Sequence, residues 1–290
     1  MTTLVGIAFA IGYIGDAFHG SQVQPEVRTV QKDLQFALRK AKFAGPNPIF
    51  KLASRTDAGV NARMNIGFCK IPKNAWLGMK EAGFCRAIND NLSDAIILAA
   101  EETSLDFNPR FALRRTYKYR LESMRPFVND YDEIKVIQAM KLFEGTHDFT
   151  GFSRPEDRNP VRTIEWCKPW KIDGRLVGFE VAARSFLWNQ IRRIAWTLAN
   201  VAQGNCTLSE ISESLAKGQK PPSYGLGSAR WLTLWEITYD NLSIEQKIPE
   251  LFESITKPPN NLDERKYELW CEITQLEQKK LMIESWIDYI

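Results

Sequence analysis

The sequence predicts an α+β fold of two β-α-β-β-α-β halves with antiparallel sheets, followed by a helical C-terminal extension. Three observations carry that expectation. Strand-like and helix-like periodicities alternate in the same order twice along the chain. Asp173-Gly174 sits between two apolar runs, as a two-residue hairpin turn requires. After Tyr239 the pattern changes to one long amphipathic helix. The repeated order is the ferredoxin-like, or RRM-like, arrangement, in which helices cover one face of an antiparallel sheet.

In the first half, residues 4–14 form an apolar strand, and 29–43 a helix with Leu34, Ala37, Leu38 and Ala41 on one face. A short strand at 49–53 and an alternating strand at 62–71 follow, then a helix over 74–88 and a strand over 95–100. The second half repeats the order with a strand at 114–121, a helix at 132–143, and the hairpin strands 162–172 and 175–183. A helix over 185–202 and a strand over 231–239 close it. The stretch 145–160 is too long for a plain linker and reads as a loop with a purpose. Domain boundaries are expected at 1–108, 109–240 and 241–290. In the extension, Pro258-Pro259-Asn260-Asn261 precedes a helix over 262–287. Leu269, Ile273, Leu276, Ile283 and Ile287 define its expected buried stripe, together with Trp270 and Trp286.

Composition narrows the function. At 290 residues, 44% hydrophobic and 25% charged, the chain matches ordinary globular proteins and has room for two cores. No apolar run reaches the roughly 20 residues that span a bilayer, and residues 4–14 lack the basic flank of a signal peptide. The five scattered cysteines contain no C-x-x-C and fit a reducing cytoplasm without a zinc site. His19 and His147 are the only histidines, too few for a His-based metal or triad site. The net charge of +3 conceals a division. Residues 241–290 hold ten acidic and six basic groups, leaving 32 basic and 25 acidic in 1–240, a net of +7 that suits a polyanionic partner.

The run Leu52-Ala53-Ser54-Arg55-Thr56-Asp57-Ala58-Gly59-Val60-Asn61-Ala62 places one carboxylate at a tight corner between strands. Gly59 permits positive φ there. Asp at such a corner is usually turn chemistry. Four further blocks stand in order around it: Gly12 to Gly15 with Phe18 to Gln24 and Thr29-Val30-Gln31; Arg114 to Tyr119; Glu144 to Phe149 with Phe152-Ser153; and Ser185 to Arg192. Together the five resemble the TruA family of tRNA pseudouridine synthases, in wording closest to its archaeal members. They match Y-D-G-x-x-F-x-G-x-Q-x-Q, G-R-T-D-A-G-V-H-A, R-R-x-Y-x-Y, G-T-H-D-F-x-x-F and F-L-x-x-M-V-R. The resemblance covers residues 1–239, about four-fifths of the chain.

That resemblance implies two ferredoxin-like halves flanking a central catalytic cleft. It implies an isomerase that converts uridine to pseudouridine in the anticodon stem-loop, at tRNA positions 38, 39 or 40. It also implies Asp57 as the catalytic carboxylate, Arg192 as its ion-pair partner and Tyr117 as the ring stacked on the everted uracil. The reaction breaks one glycosidic bond and forms a carbon–carbon bond without redox change, so no cofactor and no metal is expected. An always-charged planar guanidinium keeps a desolvated carboxylate ionised. Arg55 is expected on the nucleotide backbone. Arg114, Arg115 and Arg184 are expected along a basic cleft, with Arg110, Lys118 and Arg193 as further candidates. Leu226, in Pro221 to Gly227, corresponds to a pocket-lining leucine. His147 and Asp148 read as a loop-ordering pair. A homodimer acting on tRNA in the cytoplasm completes the expectation.

Departures from the pattern are Ser54, Asn61 and Trp196, where the family has Gly, His and Gly. A non-catalytic RNA-binding protein with two RRM-like folds is the alternative, though Asn65 to Lys70 echoes the RRM aromatic motif poorly. A hydrolase built on Asp57 lacks a recognisable second carboxylate.

Overall fold

The computed structural model describes residues 3–43, 50–128, 130–155, 157, 159–248, 255–258 and 263–289. The expected strand start at Ile49, the expected helix start at Leu262 and the punctuation at 259–261 lie outside the described residues. The fold is mixed α+β, with mostly antiparallel strand pairing. The chain divides into two compact units: Met1–Leu113 with Thr233–Phe252 and Lys279–Ile290, and Arg114–Leu232 with Glu253–Gln278.

The first unit holds β1 (Leu4–Tyr13), α1 (Val30–Lys40), β2 (Phe50–Leu52), β3 (Asn61–Pro72), α2 (Lys73–Asn89) and β4 (Ala95–Thr103). Strand β1 runs antiparallel to both β3 and β4, and β2 pairs with β3. Every residue of β1 after Leu4 is buried, which explains an apolar run without alternation: the strand is covered on both faces. Phe9, Phe43, Trp76 and Phe84 form the aromatic core under the helices. Helix α2 is broken at Lys80 (φ 53°), where an unbroken helix is expected from sequence. The break falls between Gly78 and Gly83, residues that weaken a helix.

A further strand, β9 (Leu232–Thr238), belongs by chain order to the second half. It pairs in parallel with β3 through Asn61↔Thr233 and Ala62↔Leu234. Periodicity cannot reveal such a long-range parallel pairing. The segment after β9 also enters this unit's core, with Leu242, Ile244 and Ile248 buried. Trp286 is buried too, its Nε1 3.0 Å from where a side-chain carbon on Gly12 would stand. These four side chains of the extension are therefore buried with the first unit.

The second unit holds β5 (Arg114–Tyr119), α3 (Glu133–Leu142), β6 (Gly145–Asp148), β7 (Val161–Ile172), β8 (Arg175–Ala183), α4 (Gln190–Ala202) and α5 (Leu208–Lys217). Its strands lie in the order β5-β8-β7-β6, all antiparallel. Asp173 (φ 50°) and Gly174 (φ 78°) make the expected hairpin turn, both with positive φ. The expected loop at 145–160 contains strand β6. Helix α4 starts at Gln190, not at 185: Asn189 is left-handed (φ 65°), and the Gln190 side chain accepts from Leu187 N at 2.8 Å. Helix α5 is absent from the sequence reading, although Thr207 and Glu210 form a reciprocal capping box and Gly218 ends it.

Helix α6 (Glu264–Glu284) corrects the expected stripe. Leu269, Ile273, Leu276, Ile283 and Ile287 are exposed; Trp270 and Trp286 are buried as expected, and Thr274, Gln278, Leu281 and Met282 are buried with them. The cause is ionic. Arg120, fully buried, donates to Glu122 at 2.7 and 2.9 Å, to Glu277 at 2.7 Å and to the Thr274 carbonyl at 3.2 Å. Arg175 also pairs with Glu122, and Trp270 Nε1 donates to the Glu122 carbonyl at 3.1 Å. A mixed face whose edge meets a buried guanidinium is selected over a purely aliphatic one, and hydrophobic periodicity does not register it. Among the described residues no helix is long and apolar enough to cross a membrane.

Candidate active site

In the first unit the loop between β2 and β3 carries Arg55 and Asp57. Neutral hydrogen bonds fix its backbone. Asn65, fully buried on β3, accepts from Ser54 N at 3.2 Å and donates to the Ser54 carbonyl at 2.9 Å. Asn65 also donates to Tyr13 Oη at 3.2 Å, and the Tyr13 and Thr56 hydroxyls share a hydrogen bond of 2.8 Å. The loop is laced to the segment after β1: Thr56 N donates to Ser21 Oγ at 2.9 Å, and Ser21 N to the Thr56 carbonyl at 3.1 Å. Val60 N closes the turn on the Asp57 carbonyl at 3.2 Å, with Gly59 at φ 82° as expected. Asn61, where the family pattern has His, accepts from Gly15 N at 2.9 Å. Asp57 is half-buried in a loop fixed through Ser54, Thr56, Val60 and Asn61, while Arg55 is exposed.

In the second unit, Tyr117 and Tyr119 occupy one face of β5, opposite Val181 and Phe179 of β8. Tyr119 is fully buried and stacked on Phe179 at 5.8 Å. Burial pushes its phenol up, keeping it a neutral donor to the Ser228 carbonyl at 3.1 Å. Tyr117 meets Phe186 edge-on at 5.4 Å and 88°. The two aromatic residues divide the roles: Tyr119 anchors the sheet, and Tyr117 stands beside the segment that leads into α4.

Arg192 leaves the first turn of α4 and donates through Nε to the Gly227 carbonyl at 2.8 Å, while Gly227 N returns to the Arg192 carbonyl at 3.0 Å. Arg193 donates to the Gly225 carbonyl at 3.3 Å. Any side chain on Gly227 would stand 2.5 Å from Tyr119 Oη, so only glycine lets the loop approach this closely. These bonds flank Leu226 and hold it exposed beside α4.

The arginines of β5 separate. Arg115 is buried and donates to the Arg184 carbonyl, with Arg184 itself exposed. Arg114 is half-buried, 4.8 Å above Trp166 and 3.5 Å from Glu165. Arg110 lies in the first unit, at a turn where its N–H donates to Asn108 at 3.2 Å. Lys118 lies 5.1 Å above the Trp170 ring. His147 binds the Glu144 carbonyl at 2.7 Å, and Asp148 accepts from Thr150 N at 2.8 Å, the loop-ordering roles expected of them. All five cysteines are free; burial pushes Cys69 and Cys85 up to about 12, far from a reactive thiolate. Among the described residues no group of His, Cys, Asp and Glu is placed to hold a metal.

Tyr13, Ser21 and Asn65, which order the Asp57 loop, carry no catalytic signature in the sequence. The only signal for them is their place in or beside the two blocks they connect.

The first unit thus carries a carboxylate on a fixed sheet-end loop, and the second carries an arginine in the first turn of a helix and an aromatic ring on a strand. A family model described as tRNA pseudouridine synthase matches residues 139–240. The chain is 34% identical over 241 residues to tRNA pseudouridine synthase A of Pyrococcus furiosus, covering 82% of this chain and 85% of that one. The protein of the same name from Pyrococcus horikoshii is 34% identical over 269 residues, covering 91% and 97%. That from Methanosarcina barkeri is 33% identical over 245 residues, covering 81% and 84%. The chain belongs to the tRNA pseudouridine synthase A (TruA) family, whose members are isomerases of tRNA uridine.

Proposed function

We propose that this chain isomerises uridine to pseudouridine in the tRNA anticodon stem-loop, at one or more of positions 38, 39 and 40, with Asp57 as its catalytic carboxylate. The observation that carries the assignment is the Asp57 loop itself, held by Asn65, Tyr13, Thr56 and Ser21. The target uridine leaves its stack and rests against Tyr117. Arg192 pairs with Asp57 and keeps it ionised as solvent is excluded. Leu226 lines the pocket. Arg55, Arg114 and Arg184 contact the RNA backbone, and Arg115 positions Arg184 through its carbonyl. Bond exchange at one nucleotide needs no electron carrier or second substrate, so the reaction runs without cofactor or metal.

Each half, 1–108 and 109–240, is read as a ferredoxin-like fold bordering one catalytic cleft, with 241–290 as an added helical extension. The strand arrangement of the first unit, with β1 between β4 and β3 and β2 beyond β3, supports that reading. The enzyme acts as a homodimer in the cytoplasm. The exposed apolar stripe of α6 supports the first statement, and the five free cysteines the second.

The decisive assay uses unmodified tRNA tritiated at uracil C5 and counts tritium released to water. Release by the wild type and none by Asp57→Ala is the expected result. Tight tRNA binding without release overturns the reading. Arg192→Lys keeps the charge but loses the planar fork, and activity falls by at least about 100-fold.

A further inference from the structure

Outside the residues assigned above, the second unit carries a cluster of aromatic rings dressed with cations. Trp188 projects from the irregular segment before α4 and is 41% exposed, although the Arg154 guanidinium lies 3.8 Å from its ring centroid. Arg154 N also donates to the Trp188 carbonyl at 2.8 Å, so the stack is fastened through the backbone as well. On the neighbouring loop, Tyr224 carries the Arg193 guanidinium at 3.9 Å and the Lys220 ammonium at 4.6 Å from its ring. The Tyr224 hydroxyl donates to the Ser153 carbonyl at 3.2 Å. Ser153 and Arg154 thereby tie the two stacks into one cluster.

An indole this exposed contributes little to the core, and the cluster's charged members are all cations. Aromatic faces with guanidinium and ammonium groups beside them are what a single-stranded nucleic acid needs: rings for the bases, cations for the phosphates. The location suits the reaction. Trp188 is two residues from Phe186, which packs on Tyr117, and Arg193 follows Arg192.

We propose that Trp188 and Tyr224 form a stacking platform for the unpaired nucleotides flanking the target uridine, whose phosphates are held by Arg154 and Lys220. The platform rests on the isomerase reading for its substrate. It deepens that reading by naming what grips the strand on either side of the everted base. Everting one base costs stacking energy, and new stacking of its neighbours offsets that cost.

The test measures binding of a fluorescein-labelled, unmodified anticodon stem-loop RNA by anisotropy, beside a fully paired RNA duplex of equal length. Trp188→Ala is expected to weaken stem-loop binding by about 10-fold, within the range for loss of one stacked base, and to leave duplex binding unchanged. Trp188→Phe restores most of the loss. Arg154→Ala and Lys220→Ala each reduce the slope of log affinity against log salt by about 0.7. Wild-type affinity for the stem-loop in Trp188→Ala and Tyr224→Ala overturns the platform and leaves the cluster as a protein-docking surface. Equal weakening toward both RNAs, or no rescue by Phe, assigns Trp188 a structural role and overturns it as well. Tritium release by the wild type is scored separately. A chain that releases none, yet loses stem-loop affinity in Trp188→Ala, retains the platform and loses the isomerase reading.

Discussion

Two buried polar networks, one in each unit, are built from different groups. Around Asp57 the backbone is fixed by neutral groups, Asn65, Tyr13, Thr56 and Ser21. Around Arg120 the carboxylates themselves are the fasteners: Glu122 and Glu277 take the guanidiniums of Arg120 and Arg175. The first arrangement orders a loop through amides and hydroxyls. The second spends its acids on packing α6. A charge that serves as a structural fastener cannot be withdrawn without leaving its partner buried and alone. A scaffold of neutral amides and hydroxyls carries no such penalty.

The contrast can be broken at several points. Asp57→Asn keeps shape and removes the charge; tritium release should fall by at least about 1,000-fold while the melting temperature moves by no more than about 2 °C. A large loss of stability there would place Asp57 among the fasteners. Arg120→Ala should do the reverse. Removing one member of a buried ion pair costs about 3–5 kcal/mol, a drop of about 6–20 °C by calorimetry for a chain of this size. Melting within about 2 °C of wild type would remove the ionic explanation for the turned face of α6.

Asn65→Ala sharpens the comparison, since it damages scaffold and chemistry together. Leaving Ser54 and Tyr13 with unmet hydrogen bonds costs about 1–3 kcal/mol, and loosening the loop lowers turnover by about 10- to 100-fold. Unchanged turnover would show that the network does not hold Asp57.

The smallest effect is expected at α5. Backbone and side-chain hydrogen bonds from Thr207 hold the Glu210 carboxyl below the ordinary range. A carboxyl with a depressed folded-state value stabilises the protein above its ordinary value, and that contribution fades as pH falls through the depressed one. Amide exchange in residues 208–217 should therefore quicken on acidification across that window. Thr207→Ala should cost about 1 kcal/mol at neutral pH and abolish the pH dependence. Exchange independent of pH in the wild type would dismiss the box as a stabiliser.

Local signals made much of this legible in advance. Nearly every strand and helix stands within a few residues of its expected place, because alternation, helical spacing and the Asp173-Gly174 turn act over short stretches of chain. The Asp57 run stands out through its resemblance, with four other blocks, to the TruA family; the turn alone reads as ordinary turn chemistry. The reversed face of α6 was not legible, since its cause is Arg120, far away in sequence. Helix α5 was missed despite its capping box, because a weakly apolar stretch hides it among polar residues. Asn65 reads as one more polar residue in an alternating strand until Ser54 and Tyr13 are in place around it.

By itself, then, the sequence determined the α+β class, the element order, the family and the identity of the candidate carboxylate. All of these are written in contiguous residues whose chemistry acts locally. Tertiary structure decided which face of α6 is buried, that β9 joins β3, that the segment after β9 enters the first unit's core, and how the Asp57 loop is held. Each of those outcomes depends on a partner tens to hundreds of residues away. Only folding brings a buried guanidinium or amide within the short range at which it selects one arrangement over another.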